Sequence, residues 1–543
     1  MGSKYEHLSQ EELIRLLEAR DRRDATKFGL VWEANEIERD KALNNDFVAL
    51  DLVPELCVGK PGWRNLIIEG DNFDALRYLR MAFAGQVKCI FIDPPYNTGQ
   101  KDFVYNDRFV DVNDLWRHSK WCEFIYQRLT LARDLFTQDG VIFVSIDDHE
   151  VASLMLLMKR VFGENAFVAT CIWQKRYSRE NREAIGDAHD YLLVFSLSPE
   201  LFKARRNKLP LSEKQRALYK NPDNDSRGRW QSVSLTAQGY RPNQMYEIIA
   251  PNGKHHRPPE GTCWKLLESE YQKLLADNRV YFGKDGKGVP RRKYFLSEAE
   301  GLVPWTWWPH EEVGHTDEAR KEIQELLETQ TAFNTPKPVR LIERVLQIGC
   351  GPDDLVVDFF AGSGTTAHAV LKQNAADNGR RRFILVSNTE ATAEEPDKNL
   401  CRDVCARRVR RVIEGYASVP ATAGNFAYLR TRRIAPSRLL EIDHAQVWTA
   451  LQLMHGETLL PYSDAPFLWA SDGEEAVAYI PRFRREDAPA LRKKIKEAGA
   501  VTLYSWQPQA VKQHIRAGHV VHRPIPEELA RRFGFRFERT VPV

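Results

Sequence analysis

The sequence predicts an α/β fold, a doubly wound and mostly parallel sheet interrupted by an inserted domain. Three observations carry that prediction. Strand-like and helix-like segments alternate from Trp63 to Ser198. The rhythm fails from about Pro199 to Glu300, then returns near Phe333 and runs to about Tyr416. Two strand ends, at Asp93 and Asp358, are followed by proline or glycine turns of the kind that open a crevice at a sheet edge.

Each element follows from pattern. Ser9-Gln10-Glu11-Glu12 has capping-box spacing, and Leu13, Ile14, Leu16 and Leu17 form an apolar stripe, so the first segment is expected to be helical. Asn65 to Asp71 reads as a strand ending in an acid, followed by a helix from Phe73 to Met81. Val87 to Ile92 is a strand of the fully buried type. A long amphipathic helix from about Trp121 to Phe136 precedes the strand Gly140 to Asp148. A helix through Met158 and strands near Val168–Trp173 and Tyr191–Phe195 complete this half. The interruption is rich in Asn, Asp, Gly, Pro and Arg with isolated aromatics, which suits short strands and loops. Asp354 to Asp358 then reads as a strand, with a helix starting at Thr366 and a strand from Phe383 to Val386. Past Pro420, Ala476–Ile480 and Val501–Tyr504 suggest a small α/β domain.

The chemistry concentrates at the two strand ends. In Asp93-Pro94-Pro95-Tyr96 neither proline can continue a ladder, so the chain leaves the sheet there. A carboxylate, carbonyls and an aromatic ring are left together, a set that accepts both protons of an exocyclic amine and stacks on the ring bearing it. The second turn, Phe360-Ala361-Gly362-Ser363-Gly364-Thr365-Thr366, allows close backbone approach to a ligand but does not match the Gly-x-Gly-x-x-Gly dinucleotide fingerprint. Asp71, Asp93 and Asp358 all stand at carboxyl ends of strands, where such sheets bind ligands; helix N-capping is the plainer use of such acids.

Composition excludes several classes. With 28% charged and 43% hydrophobic residues, and no run of eighteen apolar residues, a soluble chain without a membrane span is expected. The eight cysteines include no Cys-x-x-Cys pair, so no metal site is expected and a cytoplasmic setting is the simplest. Gly283 to Gly288 does not satisfy the Walker pattern, and no helicase or nuclease is visible. The net charge of +3 does not by itself announce nucleic acid. The crowded arginines Arg402, Arg407, Arg408, Arg410 and Arg411 read equally as phosphate contacts or as a helix face paired with acids.

The order of these signatures resembles the permuted beta class of S-adenosylmethionine-dependent DNA amino-methyltransferases, in which the amine-binding half precedes the cofactor loop. More closely it is similar to the Mod subunits of type III restriction–modification systems. The likeness covers about Trp63 to Tyr416 and includes Glu69-Gly70-Asp71-Asn72, Asp93 to Gly99, Val104 to Asp107, Ser145 to Asp148, His189-Asp190-Tyr191, Pro336-Lys337-Pro338 and Phe360 to Thr366. The resemblance implies a permuted Rossmann-like methyltransferase fold, with methyltransferase parts at 63–198 and 331–418 and a target-recognition insert at 199–330. The likeness fades at both ends, where pattern alone gives a helical arm over 1–62 and a C-terminal domain at 419–543. The resemblance assigns Asp93, Pro94, Pro95 and Tyr96 to the target base. Asp71, Thr335, Lys337, Asp358, Phe360, Gly362, Gly364 and Thr365 fall to the cofactor, with Thr335 and Lys337 by its methionine end. Ser387-Asn388 stands where relatives place a ribose-binding acid, and Glu390 is the substitute.

The implied activity is transfer of a methyl group to adenine N6 in double-stranded DNA by base flipping. The implied partners are a second copy of the chain and a restriction subunit bearing the helicase and nuclease. An N4-cytosine enzyme, a stand-alone methyltransferase and a non-catalytic DNA-recognition subunit are the alternatives; related cytosine enzymes more often carry Ser in place of Asp93.

Overall fold

The structure, a computed structural model, describes residues 46–534 except 100–103, 106–107, 110–116, 180–183, 330–332, 334, 393, 457 and 472–473. The expected N-terminal helix at Ser9–Leu17 lies outside the described residues. Two compact units are present: Lys208–Pro304, and the residues on either side of it taken together.

The larger unit is built on a ten-stranded sheet. Its strands are β1 (Phe47–Leu52), β2 (Leu66–Glu69), β3 (Val87–Ile92), β4 (Phe136–Ile146), β5 (Phe167–Gln174), β6 (His189–Ser196), β7 (Trp307–Trp308), β8 (Leu355–Asp358), β9 (Arg382–Ser387) and β10 (Ala427–Ile434). Their spatial order is β1-β10-β2-β9-β8-β3-β4-β6-β5-β7. Six of the nine ladders are parallel, and β1/β10, β4/β6 and β6/β5 are antiparallel. Because β2, β3, β8 and β9 are covered on both faces, every one of their residues is buried except Arg382 at the start of β9.

The helices form two layers. On one side lie α1 (Asn72–Phe83), α2 (Arg117–Arg133) and α3 (Val151–Phe162), packed in sequence. On the other lie α4 (Thr316–Leu327), α5 (Val339–Gly349), α6 (Thr365–Asp377) and α7 (Arg407–Glu414), the last preceded by a π-helical stretch, Cys401–Ala406. Gly349 lets α5 sit close on the sheet, since a Cβ there would lie 3.1 Å from Val141 and 3.3 Å from Cys89.

The topology fixes where a ligand belongs. From β3 the chain crosses through α2 to β4 on one side; from β8 it crosses through α6 to β9 on the other. β3 and β8 are neighbours, with Val356 opposite Cys89 and Val357 opposite Ile90. The direction of winding therefore reverses between them, and the crevice outside their carboxyl ends is the switch point of the sheet. Both predicted motifs emerge there.

Three parts depart from expectation. Residues 47–52 are a sheet strand rather than part of a helical arm, with Phe47 to Leu50 fully buried against β10. Residues 427–434 were assigned to the C-terminal domain but complete the main sheet beside β2. Only after α8 (His444–Met454) does a separate four-stranded sheet begin, with Leu468–Ser471, Glu475–Ile480, Ala500–Ser505 and Val520–Pro524 in that order and the last three parallel. The compact insert also runs Lys208–Pro304, narrower than the expected 199–330. Its three-stranded antiparallel sheet, Val280–Tyr281, Arg291–Phe295 and Trp230–Ser234, accompanies a small core of Leu235, Ile248, Trp264, Tyr271 and Phe282.

Candidate active site

At the end of β3 the chain turns out through Asp93, Pro94 and Pro95. The Trp121 indole N–H donates to the Pro95 carbonyl at 2.7 Å, so that oxygen is taken. Nothing among the described residues donates to the Pro94 carbonyl. Asp93 Oδ2 accepts from Lys337 Nζ at 2.5 Å, while Oδ1 is buried without a partner.

Tyr96 is fixed by its hydroxyl. It shares a 2.7 Å hydrogen bond with Ser145 Oγ at the end of β4 and donates to Asp190 Oδ2 in β6 at 3.2 Å. Burial, then the charges of Asp190 and Asp93, pushes the phenol far above its ordinary range, so it stays a donor. Asp190 is in turn held by Lys175 Nζ at 2.7 Å, and the same ammonium reaches Asp187 at 2.7 Å. Burial opposes charge on Lys175, but the two acids outweigh it and raise its pKa. The Lys337 ammonium lies 5.1 Å from the centre of the Tyr96 ring and 5.9 Å from that of Trp173.

The end of β8 is organised inwards. Asp358 accepts from the Phe360 N–H at 3.0 Å and from Thr366 Oγ1 at 2.5 Å, closing the glycine turn on itself. Burial pushes this carboxyl up to about 7, against the pull of those two hydrogen bonds. The Thr365 hydroxyl faces the interior and accepts from Arg408 Nη1 at 2.8 Å; Ser363 Oγ accepts from the same nitrogen at 3.1 Å. Gly364 adopts φ +79°, and a Cβ there would lie 3.1 Å from the Cys405 carbonyl and Sγ. A side chain at Gly364 would therefore crowd the π-helical stretch. Gly362 adopts φ +47°, and a Cβ there would lie 3.1 Å from the Phe333 ring. Phe360 packs against Phe124 and Phe359.

The remaining predicted residues lie beyond other strand ends or in loops. Asp71 is the N-cap of α1, accepting from Phe73 N and Asp74 N, and its other oxygen meets Arg128 at 3.2 Å. Its plain capping use is therefore real. Thr335 is exposed two residues before Lys337. Glu390 follows β9 at φ +52° and pairs with Lys398 at 3.2 Å. Ser145, Lys175, Asp190, Trp121 and Arg408 were not singled out as site residues. For Ser145 and Asp190 the signal was a polar residue in or beside a buried strand, in Ser145-Ile146-Asp147-Asp148 and His189-Asp190-Tyr191.

The crowded arginines are spent within the chain. Arg408 is fully buried against Glu322, Ser363 and Thr365; Arg411 pairs with Glu328, Arg402 with Asp403, and Arg407 and Arg410 bond the carbonyls of Leu327 and Leu56. Arg408 is thereby removed from any phosphate contact, while Arg402 and Arg407 stay exposed.

A family model described as DNA methylase matches residues 87–388. Among curated proteins, the Mod subunit of the type III restriction–modification enzyme StyLTI of Salmonella typhimurium is 34% identical over 441 residues, covering 74% of this chain and 66% of the relative. The EcoPI Mod subunit of Escherichia phage P1 is 33% identical over 382 residues, covering 60% of this chain and 58% of that protein. The type II methyltransferase M.KpnI of Klebsiella pneumoniae is 28% identical over 351 residues, with coverages of 59% and 79%. The match thus spans 66% and 58% of the lengths of the two type III relatives.

Proposed function

This chain belongs to the DNA methylase family, and on that premise we propose that it methylates adenine N6 in double-stranded DNA. The observation that supports this most is the pair of acceptors at the switch point: the unpartnered Asp93 Oδ1 and the Pro94 carbonyl, beside the tethered Tyr96 ring. An exocyclic amine has two N–H groups and a lone pair delocalised into its ring. Accepting from both N–H groups localises that pair and aims it, so positioning supplies much of the rate. A base inside a duplex cannot reach this crevice and is flipped at a cost of a few kcal/mol. Stacking on Tyr96 returns about 1–3 kcal/mol of it.

S-adenosylmethionine, when bound, supplies the methyl group in activated form. We place it at the β8 turn, where Gly362 has no side chain and the Phe333 ring lies 3.1 Å from where a Cβ would stand. Asp358 and Phe360 shape that turn, and Asp71, Thr335 and Glu390 stand around it at neighbouring strand ends and loops. Thr365 and Gly364 serve the turn from behind.

The insert is the proposed reader of sequence. Residues 208–304 hold seventeen Lys and Arg against eleven Asp and Glu, a net charge of +6, whereas the rest of the chain carries −3. Such a basic unit suits a polyanion. Two relatives are named as Mod subunits of type III restriction–modification enzymes, and we propose the same modification role for this chain, in the cytoplasm, as a homodimer with a separate restriction subunit. Among the described residues no helix is long and apolar enough to cross a membrane.

The test is direct. The purified chain is incubated with S-adenosylmethionine carrying a labelled methyl group and with DNA, and digested nucleosides are identified by mass spectrometry. Labelled N6-methyladenine is expected. N4-methylcytosine would reassign the base, and DNA without label would leave a recognition subunit.

A further inference from the structure

Lys337 is where sequence and structure part most usefully. We propose that Lys337 is a positioning residue for the target amine, holding the Asp93 carboxylate so that Oδ1 and the Pro94 carbonyl face the incoming N–H groups together. The proposal rests on the methyl-transfer reading and assigns Lys337 to the base rather than to the cofactor.

The geometry supports it from both sides. A carboxylate at the end of a strand turns freely about its last bond, and a single ammonium on Oδ2 at 2.5 Å fixes its plane. Oδ1 is then buried without a partner, an arrangement that is unfavourable unless a ligand donates to it. Lys337 is nine-tenths buried, so its charge is little screened by solvent. It also stands among three acids: Asp93 raises the proton affinity of both Asp190 and Asp358, and Lys337 opposes that at each. Without the ammonium, Asp93 would face two other carboxyls with no cation in contact among the described residues.

Lys337 is itself held rigidly. Pro336 and Pro338 flank it, each with a fixed φ and no N–H. Pro338 is the N-cap of α5, which Gly349 seats closely on the sheet. Gly314 packs against Pro338 so tightly that a Cβ there would lie 2.7 Å from the proline Cβ. The Trp173 indole N–H donates to the Gly314 carbonyl at 2.9 Å. A continuous set of contacts thus runs from β5 through Gly314 and Pro338 to the Asp93 carboxylate.

The experiment compares Lys337→Met and Lys337→Arg with wild type. It follows kcat and KM on duplex DNA, calorimetric affinity for S-adenosylmethionine, fluorescence of 2-aminopurine at the target position, and thermal unfolding. Lys337→Met should lower kcat about 100-fold while cofactor affinity and the flipping signal stay within about 3-fold, as expected when an interaction made only in the reacting complex is lost. Lys337→Arg, keeping the charge, should recover about 10-fold of that loss. A cofactor affinity weakened about 10-fold or more, with kcat intact at saturating cofactor, would overturn the assignment and return Lys337 to the cofactor. Unchanged kinetics would overturn it equally. Equal loss in Lys337→Met and Lys337→Arg with a lowered melting temperature would reduce Lys337 to a structural ion pair. Wild-type protein that transfers no methyl group would instead remove the premise, and the proposal with it.

Discussion

The ends of β3 and β8 lie side by side, each with a buried or half-buried aspartate followed by a sharp turn, yet they use their polar groups in opposite ways. At β8 the hydrogen bonds close inwards: Asp358 ties Phe360 and Thr366, and Arg408 ties Ser363 and Thr365. At β3 they remain open, with Asp93 Oδ1 unpartnered and the Pro94 carbonyl without a donor among the described residues. One end is a scaffold that presents main chain, and the other presents side-chain chemistry. An acid at a strand end is therefore not informative by its position; what distinguishes the two is where each oxygen's hydrogen bonds go.

The comparison breaks first at Asp93. Asp93→Ala should lower methyl transfer by about 10³-fold or more, because it removes contacts that matter as the amine reacts. Cofactor affinity should hardly change, while the melting temperature should fall, because the buried Lys337 ammonium loses its partner. A folded Asp93→Ala protein with substantial transfer, measured under single turnover, would erase the distinction between the two ends.

At β8 the expected losses are of stability. Gly364→Val should destabilise the fold by about 2–4 kcal/mol, from a left-handed φ that a branched residue resists and from overpacking against the Cys405 carbonyl. Gly362→Ala should instead weaken cofactor binding with less effect on melting, since only a ring edge has to move. If calorimetry and thermal unfolding gave the reverse pattern, the inward and outward faces of the turn would have to be exchanged.

Asp358 offers a smaller test with a definite sign. Its folded pKa of about 7 lies above the ordinary carboxylate value, so the folded state binds the proton more tightly than the unfolded one. The associated stability is complete below about pH 4 and is lost as pH rises towards 7. Relative to Asp358→Asn, which stays neutral, wild type should lose about 2–3 kcal/mol between pH 5 and pH 8. Denaturant unfolding of both proteins at the two pH values measures it. Parallel pH profiles would show that Asp358 ionises without penalty and is more open than the scaffold reading allows.

What was legible in the sequence follows the same physics. Pro94, Pro95, Gly362 and Gly364 announce themselves because they break a strand whatever lies around them. Asp93's partner could not be read, since Lys337 is 244 positions away and only the reversal of winding brings them together. Strand β10 was assigned with the C-terminal domain, since its arginines give no sign in the sequence of Glu69 and Asp74, which pair with Arg430 and Arg433. The strand at Phe47 to Leu52 was read as arm because one short apolar run carries little sign of the neighbour that buries it.

The insert repeats the contrast at lower stakes, because its arginines also divide into inward and outward sets. Arg227 grips Asp225 with two bonds of 2.9 Å, reaches the Asp277 carbonyl and lies over the Phe295 ring. Arg279 pairs with Asp277 and Glu298. These guanidinium groups hold the small unit together and have little left for DNA. Arg241 is different: it is exposed, its one side-chain contact is Gln244 at 3.3 Å, and it follows the 73% exposed Tyr240 in a loop opened by Gly239 at φ +92°. Arg241→Ala should leave melting unchanged and weaken DNA binding by about 1–3 kcal/mol at most. A phosphate contact would weaken all sequences and reduce the salt slope by about 1, whereas a base contact would relax one position of the methylated site. Arg227→Ala should lower the melting temperature and affect DNA binding only through that loss. The two variants are compared by titration of duplexes at several salt concentrations and by sequencing of methylated DNA. If Arg227→Ala stayed folded and altered the methylated sequence while Arg241→Ala did not, hydrogen-bond accounting would have failed as a guide to which side chains face a partner.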